Sequence, residues 1–201
     1  AIASGSLPAG LTLSGSGGIS GTPTAVGTYS FAVRVTDSTS ISVTQNFSLT
    51  IGPPTASILN SASYAGGSVA PGELVVIFGY GMGPNTLVGL QLDSRGYVAT
   101  TLAGTQVLFD GVPAPLIYTS ARQVSAVVPY SVSGKTSTQV QVFYQGLNSA
   151  PAIMPVTATK PGVFTVDASG RGPGAILNQD QTLNTAANPA SVGSVVVVFA
   201  T

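Results

Sequence analysis

The chain has no cysteine and no histidine. The first absence removes any disulfide framework and any thiolate nucleophile. The second excludes serine–histidine–acid triads and imidazole metal sites. Charge is nearly as scarce. Six basic and six acidic residues make up 6% of 201 residues and cancel, where an average soluble domain carries roughly 25% charged residues. The basic residues Arg34, Arg95, Arg122, Lys135, Lys160 and Arg171 are scattered. They form no cationic stripe for a phosphate backbone or an anionic membrane surface. No apolar run approaches the ~20 residues of a spanning helix. The opening AIASGSLPAG lacks the basic start and apolar core of a signal peptide, so an export signal is expected upstream or already removed.

What is present is apolar and uncharged polar. Hydrophobic residues make up 44% of the chain, enough for real cores in one large or two ordinary domains. Ser, Thr, Asn, Gln and Gly must then supply the polar surface, and low charge weakens the usual defence against self-association. This Thr/Ser/Gly/Val-rich, charge-poor make-up is common among secreted bacterial surface proteins.

Period-two alternation predicts strands nearly throughout. In TYSFAVRVT, Tyr29, Phe31, Val33 and Val35 share a face. In ISVTQNFSLTI, Ile41, Val43, Phe47, Leu49 and Ile51 share one. Both faces are expected to be half-buried, with DSTS as the hairpin turn and Asp37 capping it. GLTLSGSGGISGTP reads as two short strands around a glycine-rich turn. Gly52-Pro53-Pro54 is the best boundary, since prolines remove donors and stiffen a link. Beyond it, ELVVIFG reads as a strand buried on both faces. Asp110-Gly111 reads as a two-residue hairpin turn, and RQVSAVVP and STQVQVFYQG as further strands. About a dozen strands at roughly 8–12-residue spacing point to sandwiches. Helix is expected at most as a turn near NSASYAGG or NTAANPA.

A faint repeat is also present. Ile58-Leu59-Asn60 precedes PGELVVIFG, and Ile176-Leu177-Asn178 precedes NPASVGSVVVVF. The shared order of ILN, polar spacer, proline and apolar strand is what a duplicated sandwich leaves behind. In the first copy, the charge of Glu73 is expected to guard the strand start. Nothing charged guards Val195, Val196, Val197, Val198 and Phe199, the most strand-like stretch of all and an aggregation hazard if unpaired.

No residue cluster reads as catalytic. The acids Asp37, Glu73, Asp93, Asp110, Asp167 and Asp180 show no pair spaced for glycoside hydrolysis. Asp37 has no acidic neighbour, whereas calcium takes roughly 6–8 oxygens. No cofactor is implied, and GRGPG lacks the lysine and helix of a phosphate loop. The amides of Asn178, Gln179 and Asn184 with the Asp180 carboxylate read as either a glycan-binding loop or a self-bonded set of Asx turns. Asn46-Phe47-Ser48 fits a glycosylation sequon. Tyr64, Tyr80, Tyr97, Tyr118, Tyr130 and Tyr144 offer sugar-stacking rings, though packing explains most equally well. Intramolecular isopeptide bonds need a lysine, an Asn or Asp, and a buried acid. Lys135 in an expected turn and Lys160 before Pro161 suggest none by pattern.

Two stretches resemble known families. Leu7-Pro8-Ala9-Gly10-Leu11, Ser20-Gly21-Thr22-Pro23, Gly27-Thr28-Tyr29 and Val35-Thr36-Asp37 match the signature of an immunoglobulin-like module found in tandem on large bacterial surface proteins. From about Ala56, ILNSASYAGGSVAPGELVVIFGYGMGP, GVPAPLIYTSARQVSAVVP, PGVF and ILNQDQTLNTAANPASVGSVVVVFAT resemble an uncharacterised C-terminal domain of Solibacter-type soil bacteria. Its halves are similar to the immunoglobulin-like folds of plexins and transcription factors. The resemblance implies secretion and β-sandwiches and no known activity. In both families the pattern runs past what is present here, so the terminal modules are expected to be incomplete.

The expectation is therefore an all-β chain of tandem immunoglobulin-like sandwiches, divided at 1–52, 53–159 and 160–201. It is a secreted or cell-surface, non-catalytic structural or adhesive segment. Its partners are protein, by self-association or with neighbouring modules, and strand complementation through Val195–Phe199 would build filaments. The competing expectation is a carbohydrate-binding module attached to a secreted enzyme.

Overall fold

A computed structural model describes residues 1–201, the side chain of Ala56 excepted. The regular structure is almost entirely β. In the first fifty residues the strands are β1 (Ile2–Gly5), β2 (Leu11–Leu13), β3 (Ile19–Gly21), β4 (Gly27–Thr36) and β5 (Ser42–Ile51). The last two form an unbroken ten-residue antiparallel ladder from Gly27↔Ile51 to Thr36↔Ser42. β1 adds to the other side of β4, giving the order β1-β4-β5. The turn forms for a local reason. Asp37 Oδ1 accepts from the N–H groups of Thr39 and Ile41 and from the Thr39 hydroxyl, and these donors hold its carboxyl below the usual range. β2 and β3 make the expected separate hairpin.

The second region is a sandwich of two antiparallel sheets. One has the order β6-β7-β12-β11-β8, from β6 (Thr55–Asn60), β7 (Leu74–Gly79), β8 (Val88–Gly89), β11 (Leu116–Thr119) and β12 (Gln123–Val127). The other is built on β9 (Thr105–Phe109), β10 (Val112–Pro113), β13 (Ser137–Tyr144), β14 (Leu147–Asn148) and β15 (Ala152–Pro155). There β13 pairs with β9 on one side and with β14 and β15 on the other. Alternation does the work: Thr105, Val107 and Phe109 of β9 are buried, and Val140 and Val142 of β13 meet them across the ladder. Ile58, Val75, Ile77, Leu116, Val124 and Ala126 supply the facing layer of one continuous core. β7 lies between β6 and β12. Val75 and Ile77 face the core, and Val76, on the opposite face of the strand, is buried too, so the continuous apolar run reflects burial on both faces.

Asp110 and Gly111 turn β9 into β10, both with positive φ (50° and 82°). That is the geometry a two-residue turn needs to match strand twist. The Asp110 carboxylate accepts from Gln139 N, Thr138 Oγ1 and Lys135 Nζ, which holds its pKa down and fastens the turn to β13.

Residues beyond 160 pair sparsely. β16 (Ile176–Leu177) and β17 (Val197–Val198) form one short ladder, supplemented by isolated bridges such as Val163↔Ala200 and Thr165↔Gly174.

Four expectations need correction. The strands number seventeen rather than about a dozen, many only two residues long. The single helical turn is Tyr130–Val132, where Pro129 sets the entry and Val132 is buried, while NSASYAGG and NTAANPA form turns and a bridge. The β5 face is not half-buried: Val43 is 69% and Phe47 49% exposed, because no second layer covers it among the described residues. Of Val195–Phe199 only Val197–Val198 forms ladder, since β16 offers only two residues to pair with.

Phe109 is fully buried at the centre of the sandwich. Phe109→Ala is expected to lower the unfolding free energy by about 3–5 kcal/mol through lost burial and the cavity left behind. Urea titration of both proteins, with the exposed-site variant Tyr97→Ala staying within roughly 0.5 kcal/mol of the parent, checks this.

Candidate functional site

Two places concentrate functional potential, one buried and one open. The buried one begins at Asn60, the last residue of β6, whose side chain is wholly enclosed. Its Oδ1 accepts from the backbone N–H groups of Ala62 (2.9 Å) and Ser63 (3.0 Å), an Asx turn that carries the chain out of the strand. Its Nδ2 donates to Glu73 Oε1 (2.9 Å), to the carbonyl of Lys160 (3.0 Å) and to Thr201 Oγ1 (2.9 Å). Glu73 Oε2 accepts from Ala70 N at 2.7 Å. Lys160 Nζ stands 3.9 Å from Glu73 Oε1 and donates to the carbonyls of Gly66 (3.1 Å) and Ser68 (2.6 Å). Gly162 passes so close that a Cβ there would collide with the Asn60 carboxamide, so glycine is required by space.

Glu73 is therefore not a surface guard. It is buried because the turn Ala70–Gly72 folds it against Asn60. Burial pushes its carboxyl above the ordinary 4.5, opposed by hydrogen bonds from Asn60 and Ala70 and by the nearby Lys160 charge. Pattern reading missed this cluster because its members lie up to 141 positions apart. One signal was available: the asparagine of the first ILN.

The second ILN behaves in parallel. Ile176 and Leu177 pair with Val198 and Val197 as Ile58 and Leu59 pair with Ile77 and Val76. Asn178 is buried like Asn60. Its Nδ2 donates to Asn188 O and Thr182 Oγ1, and its Oδ1 accepts from Asn184 Nδ2 at 2.7 Å. Asp180 Oδ1 accepts from the N–H and hydroxyl of Thr182. The loop's polar groups are thus largely turned on one another, with Gln179 and Asp180 exposed at its rim. Tyr80 is exposed, but its ring lies under the Arg122 guanidinium at 5.1 Å.

The open place is β5. Its partner among the described residues is β4 alone, so one row of backbone donors and acceptors faces outward over ten residues without charge or proline. Val35, Ile41, Val43 and Phe47 lie exposed beside it. Phe47 stacks on its cross-strand partner Phe31, centroids 5.9 Å apart. A shallow depression of about 480 Å³ lined by Ser4, Ser30, Phe31, Asn46, Phe47 and Ser48 sits on this sheet. Sequence reasoning placed the hazard at Val195–Phe199, where every side chain is also exposed. The longer β5 edge escaped notice because its face was expected to be covered.

Residues 1–52 match the family described as "Putative Ig domain". No curated protein matches the chain. The match over residues 1–52 and the all-β sheets are consistent with immunoglobulin-like β-sandwiches, a fold that typically carries no catalysis and commonly mediates protein interactions. It is consistent with a structural or adhesive surface module. No group of three metal-ligating side chains occurs among the described residues. No helix among them is long and apolar enough to cross a membrane.

The raised Glu73 pKa fixes a sign. A carboxyl that binds its proton more tightly folded than unfolded lends stability below the unfolded value and loses it as pH rises through the folded one. The stability of the parent relative to Glu73→Gln, whose side chain does not titrate, should be flat in acid and fall as pH climbs above about 4.5. Chemical unfolding of both proteins across pH 3–8 measures the difference, in which the depressed aspartates cancel. A difference that rises with pH would refute the assignment.

Proposed function

We propose that this chain is a non-catalytic structural or adhesive segment of an exported bacterial surface protein, held in place by β-strand complementation. The observation that carries the reading is the β5 edge: ten residues, uncharged, proline-free, exposed on its apolar face and partnered on one side. Natural proteins blunt such edges with charge, proline, bulges or a covering segment. Here the first three are absent, which leaves the fourth. A strand from a neighbouring module or a second copy would pair with β5 by main-chain hydrogen bonds, and its apolar side chains would cover Val43 and Phe47. Val195–Phe199 is a second, shorter surface of the same kind, and repeated head-to-tail contacts between the two ends would extend into a filament.

The modular division that goes with this reading is 1–52, 53–159 and 160–201. The matched ILN pairings at β6–β7 and β16–β17 support treating the last segment as a second copy of the sandwich opening. The Solibacter-type resemblance from about Ala56 onward fits the same division and a secreted or cell-surface location. A glycan-binding module gains less support, since the amides of residues 178–184 are largely spent on each other and Tyr80 is occupied by Arg122.

Sedimentation velocity over a rising concentration series tests the proposal. The parent chain is expected to self-associate, with fibres visible by electron microscopy at the upper end. Val43→Lys with Phe47→Lys should shift it to monomer, and Val197→Lys should shorten any fibres. A parent that stays monomeric throughout and unfolds in one cooperative transition would overturn it.

A further inference from the structure

The buried cluster contains more than a hydrogen-bonded clasp needs. We propose that Lys160 and Asn60 form an intramolecular isopeptide bond, promoted by Glu73. The groups are those of an amide exchange. The Asn60 carbonyl oxygen sits between two backbone N–H donors, Ala62 and Ser63, an arrangement that stabilises negative charge developing on that oxygen. The nitrogen that must leave, Nδ2, is 2.9 Å from Glu73 Oε1. The nucleophile, Lys160 Nζ, is 3.9 Å from the same oxygen. One carboxyl thus touches the leaving nitrogen and stands beside the attacking one. The Lys160 main chain is already anchored at the carboxamide through its own carbonyl, 3.0 Å from Nδ2. The reaction needs Nζ to leave the carbonyls of Gly66 and Ser68 and swing to Asn60 Cγ.

The steps balance without any further reagent. The Lys160 ammonium gives a proton to the Glu73 carboxylate, a transfer to a neutral pair that burial favours. The free amine attacks Cγ. The Nζ–Cγ bond forms as the carbonyl π pair moves onto Oδ1, held by the two N–H groups. Glu73 passes its proton to Nδ2. The pair on Oδ1 returns, the Cγ–Nδ2 bond breaks and ammonia departs. Glu73 then takes the second proton from Nζ and hands it to the ammonia, which leaves as ammonium, and the carboxylate is restored. The net change is an ammonium and a carboxamide going to a secondary amide and ammonium. Pro71, Tyr130, Thr159 and Pro161 line a cleft over Glu73 and Lys160, which gives the product a way out. The raised carboxyl pKa of Glu73 suits a group that must hold a proton and give it back. The inference is independent of the open β5 edge, which lies in another part of the chain.

Intact-mass spectrometry of the folded 201-residue chain, held at neutral pH for days, is the test. The expected mass is one ammonia below that of the sequence. Trypsin, which is blocked at Lys160 by Pro161, should then release residues 35–95 joined to residues 136–171, and hydroxylamine should not separate them. Lys160→Arg and Glu73→Gln should each restore the full mass. The proposal is overturned by a parent of full sequence mass. It is equally overturned by an ammonia loss without the joined peptide or one that hydroxylamine reverses, the marks of a succinimide, or by a loss that persists in Lys160→Arg. Should either variant fail to fold, the peptide map of the parent still decides.

Discussion

Backbone pairing is the constraint from which the rest of this structure follows. A chain with 6% charged residues has little electrostatic means of keeping strands soluble and apart. Each N–H and C=O shielded from water must find a partner within a sheet, a turn or a neighbouring segment, and an open strand edge is a template for another strand. Between Thr55 and Val156 the constraint is met from within. Two five-stranded sheets close over a core whose largest members are fully enclosed. Two buried hydroxyls are chained, Thr119 to Thr105 and Thr105 to the Met82 carbonyl, while the buried Ser61 hydroxyl is left without a partner among the described residues. In the first fifty residues and beyond 160 the constraint is met in part, and there many apolar side chains, among them Val43, Phe47 and Val195–Phe199, stand in solvent.

The same constraint explains why the few charged groups sit where they do. Asp37, Asp110, Asp167 and Asp180 each collect backbone or hydroxyl donors at a turn, and so stand in for missing main-chain acceptors. Glu73 does the same in a buried setting. An enclosed carboxylate carries a desolvation penalty of several kcal/mol unless it is well bonded, and it is met by Asn60, Ala70 and Lys160. The result ties the end of β6 and the start of β7 to residues 160 and 201, which the sequence places far away.

How much of this was legible in the sequence follows from the range of the forces involved. Period-two alternation reports only on adjacent residues, and it located β4, β5, β12 and β13 because polar and apolar side chains alternate along each of them. Asp110-Gly111 was legible because positive φ at two consecutive residues restricts composition locally. Burial of a face depends on a second layer contributed from elsewhere. The alternation that correctly places Val43 and Phe47 on one side of β5 is therefore silent on whether anything covers them. The Asn60 cluster was hidden for the same reason. Its members are ordinary polar residues in four separate stretches, and only folding gives them a common address. The reading of Glu73 as a surface guard took a glutamate before a strand at its average behaviour, where Asn60 and the Ala70 amide had made burial tolerable.

The position of the cluster bears on what the chain withstands. In the structural or adhesive role proposed above, load would enter the sandwich near Pro54 and leave past β15. Without a covalent link, tension is carried by the ladders joining β6 to β7 and β13 to β15. Hydrogen bonds yield to force at the rate of unfolding, whatever the equilibrium stability. Asn60 lies at the end of the entering strand and Lys160 a few residues beyond the leaving one. A bond between their side chains would carry tension from one neighbour to the next past almost the whole sandwich. The core of Val107, Phe109, Val140 and Val142 would then bear little of it. In a chain without cysteine, an amide between two side chains is the covalent brace that remains open to the fold. A clasp at that point in the chain would suit the structural or adhesive role proposed above.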